Sequence, residues 1–254
     1  MRKNKFMKTK KTMLVAVAIL SIITCSAIEN VIVLTPTAKG SEGAQKFTDE
    51  SMFILETKSD TVSCYNSSEN DDWTVESSKI TVKEVKGKSF SVLFGAASAF
   101  DMTAGASYGA ILAPAGIDRA NNGALGVLGG LGNGIDTNEG YQFGLNLSSL
   151  PTNVTVQISK IFIQMINPQE TGVVVSRLNP EKSMSFGVKT PGIQTNLPNN
   201  GGWLDVNSME LKLKGGQKME DMLSLICTIG TNVIPNNEKP TYRIKGIELK
   251  FIKQ

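Results

Sequence analysis

The chain contains no histidine among its 254 residues, and this absence excludes several kinds of catalytic and metal site. Hydrolases that use an imidazole as general base are excluded, as are zinc and copper sites built on histidine. Residues 105–109 (GASYG) match the G-x-S-x-G pattern of α/β-hydrolases, but no imidazole is present to accept the serine proton. The G-x-G-x-G spacing of residues 130–134 is not that of a dinucleotide or phosphate loop.

The chain also lacks an apolar run long enough to cross a bilayer, which takes about 20 residues. Its most apolar stretch, residues 13–23 (MLVAVAILSII), follows the cationic segment MRKNKFMKTKK and precedes the small residues TCSA. This order is typical of a secretory signal peptide, so we predict cleavage after Ala27 and a secreted, extracellular or periplasmic protein. The alternatives are an uncleaved anchor and a lipidated Cys25, although Ile23 and Thr24 fit a lipobox poorly.

Loss of residues 1–27 would remove six basic residues and no acidic one, so the formal net charge would change from +3 to −3. The sequence pI of about 8.6 therefore reflects the export signal. We accordingly predict no nucleic-acid partner and no transmembrane span in the mature chain.

Cysteine is scarce, with three in the whole chain. Cys25 would leave with the signal peptide, and Cys64 and Cys227 would remain in an oxidising compartment as a candidate disulfide. Both lie in alternating apolar segments, so the alternative is a pair of buried free thiols in separate strands.

Short runs of alternating apolar and polar residues, bounded by Gly, Pro, Asn and Asp, dominate the rest of the sequence. This pattern predicts an all-β fold, an antiparallel β-sandwich of jelly-roll-like arrangement. We predict a flexible lead-in at residues 28–44, a single sandwich domain at 45–254, and a short helix or turn at 216–225. The predicted strands are residues 51–57, 61–66, 72–76, 79–85, 88–94, 141–147, 154–166, 171–178, 183–188, 208–215, 223–229 and 242–252.

Two of these predicted strands change phase partway along. In residues 154–166 the apolar alternation stops at Ile158 and restarts at Ile161, and in residues 242–252 it slips around Gly246. One extra residue in each strand would restore the buried face, so we predict a β-bulge in both.

Residues 95–134 are rich in glycine and alanine and poor in charge, which predicts tightly packed loops and irregular strands. The run from residue 123 to 163 resembles the middle of secreted bacterial β-sandwich proteins that carry a PEP-CTERM sorting tail. The resemblance implies an extracellular sandwich, but the sequence shows no Pro-Glu-Pro tail, so anchoring by that route is not expected. The matching residues are Leu125, Gly126, Val127, Asn133, Ile135, Asp136, Glu139, Phe143, Leu145, Val154, Val156 and Ile161.

One short segment offers several oxygen ligands. Asp136, Asn138 and Glu139 lie within a single predicted turn, and carboxylate and amide oxygens are the ligands that Ca²⁺ prefers. They are a candidate calcium site. The alternative is a turn whose side chains bind their own backbone.

Aromatic residues make up only 6% of the chain, and four of them are candidates for ligand binding. Trp203 follows a turn-rich Asn-Asn-Gly-Gly segment and Trp73 follows two aspartates, while Tyr108 and Tyr141 could extend the same platform. An exposed aromatic ring can stack on the apolar face of a sugar. The alternative is that each ring packs in the core or anchors a loop.

Together these features predict a secreted, non-enzymatic β-sandwich that binds carbohydrate or another extracellular surface component. One alternative is a structural cell-surface or matrix protein that binds other protein chains. Another is a histidine-free glycoside hydrolase, which needs only two suitably spaced carboxylates. Its candidate acids are Asp118, Asp136, Glu139 and Asp205.

Overall fold

The computed structural model describes residues 28–36, 52–58, 61–66, 73–75, 83–115, 117–119, 124–127, 134–164, 166, 170–188, 191–229 and 242–253. Seventeen strands lie in this part of the chain and form two sheets. The described residues contain no α-helix, only two 3₁₀ turns at Lys83–Val85 and Asn207–Met209. The all-β prediction is therefore confirmed.

The strands are numbered in chain order and divide between an eight-stranded sheet A and a nine-stranded sheet B. Sheet A contains β1 (Ile28–Pro36), β4 (Trp73–Val75), β7 (Ile117–Arg119), β8 (Leu125–Val127), β10 (Val154–Gln164), β14 (Gly201–Asp205), β15 (Lys212–Lys214) and β17 (Arg243–Lys253). Sheet B contains β2 (Met52–Lys58), β3 (Thr61–Asn66), β5 (Ser89–Phe100), β6 (Ile111–Ala115), β9 (Gly140–Asn146), β11 (Thr171–Ser176), β12 (Ser183–Gly187), β13 (Thr195–Asn196) and β16 (Lys218–Ile229).

The two sheets face each other across a shared apolar core. The rings of Phe90 in sheet B and Phe251 in sheet A meet edge to face, with centroids 5.2 Å apart. Phe186 of sheet B packs in the same way, at 5.5 Å, on Tyr242, which precedes β17. These contacts make the molecule a β-sandwich, because the inner faces of both sheets contribute to one core. The jelly-roll-like arrangement stays a prediction.

The main strand order of sheet A is β14, β10, β17, β1, β4, and that of sheet B is β13, β12, β11, β16, β9, β5, β2, β3. Nearly all neighbouring strands are antiparallel, but β12 and β13 are parallel. The central pair of sheet A is β10 with β17. The register of this pair shifts twice. Ser159 is the extra residue in β10, and Lys245 is the extra residue in β17. Both predicted bulges are confirmed at these two places.

The prediction of a flexible lead-in is wrong for residues 28–36. These residues form β1, which lies between β17 and β4 within sheet A. Ile28 through Leu34 pair with β17, and the side chain of Ile32 is fully buried. The short apolar run within residues 28–36 is therefore part of a strand that has a neighbour on each side. Residues 37–44 lie outside the described part of the chain.

The predicted helix or turn at residues 216–225 is confirmed only at its start, where the Gln217 amide donates to the Lys214 carbonyl across Gly215 and Gly216, and it is wrong from Lys218, where β16 begins. The register of β16 with β9 nevertheless shifts between Met219 and Leu223, so the strand bulges where turn-like residues occur. Gly144 of β9 lies opposite this bulge, and a Cβ there would come 2.3 Å from the Met219 carbonyl oxygen. Only glycine gives the bulged backbone enough room.

The predicted disulfide between Cys64 and Cys227 is not formed, because Cys227 is a free, buried thiol. Cys64 lies in β3 and Cys227 in β16, and β9, β5 and β2 separate these two strands in sheet B. Four strand spacings of about 4.8 Å place the two backbones roughly 19 Å apart. A disulfide requires Cα atoms within about 7 Å.

The predicted strand at residues 79–85 is wrong for its last three residues, because Lys83–Val85 is a 3₁₀ turn. Residues 79–82 lie outside the described part of the chain. In the Gly- and Ala-rich region, β5 continues to Phe100, and the short strands β6, β7 and β8 follow. This agrees with the expectation of packed loops and irregular strands. Sequence alternation did not reveal β14, which begins with two glycines.

Candidate functional site

Trp203 lies on β14 at one edge of sheet A, and its position follows from the turn before it. The Gly201 amide donates to the Pro198 carbonyl at 2.8 Å and closes a tight turn that leads into β14. Gly201 has a φ of +90°, and a Cβ there would come 2.0 Å from the Ile163 carbonyl oxygen. Glycine is therefore required at the point where β14 joins β10. The neighbouring Leu204 is buried, so Trp203 points outward and is 37% exposed.

The indole of Trp203 is held by a second aromatic ring. Trp203 pairs in register with Phe162 of β10, and the two ring centroids are 5.2 Å apart at an interplanar angle of 85°. Ile161 and Ile163 on either side of Phe162 are buried, so Phe162 also faces outward. This edge-to-face pair fixes the indole on the outer face of sheet A. Sequence reasoning missed Phe162, although its position between two core isoleucines was a usable signal.

Polar side chains surround this aromatic pair. Lys160 lies opposite Asp205 on the adjacent strand, and its ammonium group is 3.0 Å from a carboxylate oxygen of Glu248 on β17. The hydroxyl of Ser159, the bulged residue of β10, donates to the other Glu248 oxygen at 2.8 Å. The bulge therefore positions a charged pair beside the rings. The outer face combines an apolar ring surface with hydrogen-bonding groups.

The four predicted ligand-binding aromatics do not form one platform. Tyr141 is fully buried, and its hydroxyl donates to the Gly126 carbonyl at 2.5 Å while its ring stacks on Phe94 at 4.5 Å. Its assignment as a ligand-binding residue is therefore wrong. Trp73 lies on β4, at the edge of the main strand order opposite to Trp203. Four strand spacings, roughly 19 Å, separate the two tryptophans.

Tyr108 lies on the other side of the sandwich, in the loop between β5 and β6. Its half-buried ring packs against a small apolar cluster that includes Val175 and Ile226 on the outer face of sheet B. The guanidinium of Arg177 donates to the carbonyls of Ala106 and Tyr108 at 3.1 and 2.7 Å. The segment 105–109, which contains the G-x-S-x-G match, is thus a covering loop rather than a catalytic elbow.

This loop borders an open cleft of about 790 Å³. Met102 and Tyr108 line one side together with the small residues 104–106, and residues 179–181 line the other. The cleft is mostly apolar, and it lies on a different face from Trp203. It is separate from the aromatic pair on sheet A.

Asp136, Asn138 and Glu139 do lie together in one turn, but side-chain oxygens of Asn138 and Glu139 have backbone partners. The Asp136 amide donates to the Glu139 carboxylate at 2.9 Å, and the Phe100 amide donates to the Asn138 side-chain oxygen at 3.4 Å. Asn138 has a left-handed φ of +68°, a conformation that asparagine tolerates. The described residues contain no group of three or more Cys, Asp or Glu side chains arranged to hold a metal ion. The calcium site stays a prediction.

Burial shifts the acid–base properties of this turn. Glu139 is only 8% exposed, and desolvation raises the pKa of its carboxyl to about 7, with a smaller contribution from the nearby Asp136 charge. The Asp136 amide hydrogen bond acts in the opposite direction. Desolvation also raises the pKa values of the Cys227 thiol and the Tyr242 hydroxyl, and the buried Glu170 adds to both shifts.

The candidate hydrolase acids are spread over the fold. Asp136 and Glu139 are buried in the turn before β9, whereas Asp205 is exposed on β14 and accepts hydrogen bonds from Asn207. Asp118 lies on β7. Neither Asp136 nor Glu139 lines the cleft beside Tyr108.

Comparisons of this chain with protein-family models, with curated proteins and with solved structures found no match. No helix within the described ranges is long and apolar enough to span a membrane. The class that the fold defines is therefore an all-β sandwich, and its function must be argued from the surface itself.

Proposed function

We propose that this chain is a secreted, non-enzymatic β-sandwich protein that binds carbohydrate on the outer face of sheet A. The single observation that carries the proposal is the exposed Trp203, held edge to face by Phe162. A large ring that is kept at the surface by a turn and a neighbouring ring is pre-organised for contact, so little conformational entropy is lost on binding. The N-terminal sequence and the resemblance to extracellular sandwiches support secretion.

Carbohydrates suit this surface chemically. A sugar ring presents an apolar face of C–H groups that can stack on an indole, and its hydroxyls need hydrogen-bonding partners at the edge. Lys160, Asp205 and Glu248 lie on the strand positions next to the rings. These groups can exchange hydrogen bonds with hydroxyls while the stack supplies apolar contact.

The alternative of a structural matrix protein has less support on this surface. Assembly through a sheet face would favour one continuous apolar patch. The exposed large hydrophobic side chains of the described residues are instead distributed over both sheets and two loops. They are Val31, Met102, Leu112, Leu178 and Trp203.

A glycan array tests the proposal. We expect the mature chain (28–254) to bind a subset of glycans, and Trp203→Ala to reduce that binding at least tenfold, because loss of a central aromatic typically has effects of this size. Tyr108→Ala is the matched control, since it removes an aromatic ring from the opposite side of the sandwich. Binding should survive that change.

Absence of glycan binding by the unmodified chain would refute the proposal. Equal losses in Trp203→Ala and Tyr108→Ala would also count against this site. Melting curves of each variant would confirm that the fold is retained.

A further inference from the structure

The outer face of sheet A carries a row of lysines beside the aromatic pair. Lys212 and Lys214 on β15 are exposed, whereas Leu213 between them is buried. Lys250 on β17 is half-buried and lies between the core residues Leu249 and Phe251. All three lysines therefore point away from the core, on the same side as Trp203.

Strand register places these lysines close together. Gln157 of β10 pairs with Lys212 on one side and with Lys250 on the other, and Lys214 pairs with Thr155. Two strand spacings put the backbones of Lys212 and Lys250 about 10 Å apart. Lys212 and Lys214 are two residues apart on one strand, or roughly 7 Å. The three ammonium groups thus form a compact positive patch, which we call the lysine row.

The charge of the lysine row is only partly compensated by the described residues: the Lys212 charge helps to lower the pKa of the nearby Glu210 carboxyl, whose ion pair is with Lys182. The nearby cations Lys160, Lys182 and Lys253 have ion pairs with Glu248, Glu210 and Glu84. No described carboxylate lies within 4.0 Å of the ammonium groups of Lys212, Lys214 or Lys250. A local concentration of positive charge attracts anionic ligands and raises their rate of association.

The distance between the lysine row and the rings limits the size of the ligand. Gln157 and Phe162 both lie on β10, five positions apart with one bulged residue between them. At about 3.3 Å per residue they are separated by roughly 13 to 16 Å. A single sugar cannot contact both places. A chain of several sugar units that runs along β10 can.

We infer that the ligand is an anionic polysaccharide, stacked on Trp203 and held by its carboxylate or sulfate groups at Lys212, Lys214 and Lys250. This inference rests on the proposed function and specifies its ligand class. The charge comes from the lysine row and the sugar contact from the ring pair.

Binding of the mature chain to three soluble probes tests the inference: polygalacturonate, chondroitin sulfate and neutral dextran. Polygalacturonate carries only carboxylates, whereas chondroitin sulfate also carries sulfates, so these two probes distinguish the two anionic groups. We expect an anionic probe to bind at 50 mM salt and to weaken about tenfold or more at 500 mM, because salt screens exposed charges. The triple variant Lys212→Gln, Lys214→Gln and Lys250→Gln should lose about tenfold in affinity at low salt.

The control triple variant is Lys86→Gln, Lys88→Gln and Lys218→Gln, which changes the net charge equally. Lys86 and Lys88 lie in the turn before β5, and Lys218 begins β16 of sheet B, so none of the three lies on a strand of sheet A. This control should bind like the unmodified chain. Equal losses in both triple variants would overturn the inference, because net charge rather than the lysine row would then control binding.

The remaining outcomes separate the inference from the proposed function. Dextran binding that is as tight as anionic binding, and unaffected by the lysine changes, would overturn the inference and leave the proposed function intact. Anionic binding that survives Trp203→Ala unchanged would overturn the stacked arrangement. No binding to any glycan would overturn both. Tighter binding to single-stranded DNA than to either polysaccharide would show nonspecific attraction to polyanions and would also overturn it.

Discussion

Glu139 couples the stability of the fold to pH. Its carboxyl has an ordinary pKa of 4.5, which burial raises to about 7 in the folded protein. Between these two values the folded chain binds more protons than the unfolded chain, so stability falls as the pH rises. Below pH 4.5 Glu139 is mostly protonated in both states, so its contribution to stability is retained. Above about pH 7 the carboxylate is charged in the folded protein as well, and that contribution is lost. A shift of this size corresponds to about 3 kcal/mol.

Replacing Glu139 with Gln should remove this dependence. The amide oxygen can still accept the Asp136 N–H, but it cannot become charged, so we expect Glu139→Gln to stabilise the protein by about 1 to 3 kcal/mol at pH 8. At pH 4 to 5 the change should be small. Urea unfolding at both pH values measures this difference. Glu181→Gln, at an exposed position, is the control, and equal effects of Glu139→Gln at both pH values would contradict the argument.

The sequence predicts the exposure of some aromatic residues correctly and of others incorrectly. Trp203 was singled out by the turn before it, and it is exposed. Tyr141 has the same residue chemistry as Tyr108, but its hydroxyl reaches the Gly126 carbonyl within the core. That partner belongs to a different strand, and its approach depends on the packing of the two sheets. The residues around Tyr141 in the sequence therefore do not predict this contact.

At the scale of elements, the loop between β5 and β6 depends on one side chain from another strand. Arg177 follows β11 and donates to two carbonyls of the loop, at Ala106 and Tyr108. Its guanidinium is also 3.7 Å from a carboxylate oxygen of Asp221 in the bulge of β16. The residue therefore connects the loop, β11 and the bulge. Sequence alone gave no sign of this connection, because its members are distant in the chain.

We expect Arg177→Ala to loosen the loop and to destabilise the protein by about 2 kcal/mol, because two carbonyls lose a charged hydrogen-bond donor. Limited proteolysis should then cut within residues 101–110 faster than in the unmodified chain. Arg177→Lys should give an intermediate effect, since one ammonium group cannot reproduce the planar fork. Unchanged cleavage in Arg177→Ala would show that the loop is held by its other contacts.

Periodicity predicted elements well wherever the alternation was complete. The phase slips at Ile158 and Gly246 gave both bulges of the central strand pair, because each slip reverses the buried face. The sequence predicts a helix or turn at the bulge of β16, because Glu220 and Asp221 interrupt the alternation in the same way as a turn. β14 was missed because Gly201 and Gly202 have no side chain to alternate.

For the whole molecule, the most consequential strand is the first one. β1 lies between β17 and β4, so sheet A includes a segment that sequence composition described as a flexible lead-in. The shortness of the apolar run and the Thr, Pro and Gly residues after it are misleading here, because the partner of β1 is β17, which is distant in sequence. Pairing between strands so distant in sequence leaves no local pattern. The predicted cleavage after Ala27 would leave β1 complete.

Deleting residues 28–36 should therefore prevent cooperative folding. The shortened chain 37–254 would lose the buried Ile32 and expose the backbone edge of β17 along most of its length. A chain with a typical stability of about 5 to 15 kcal/mol cannot sustain the loss of an interior strand. Ile32→Ala in the chain 28–254 is the matched control and should cost about 2 to 5 kcal/mol while the fold survives. Urea unfolding followed by tryptophan fluorescence distinguishes the two. If the chain 37–254 gives the same midpoint and slope as the chain 28–254, then β1 adds nothing to stability and the role assigned to it here is wrong.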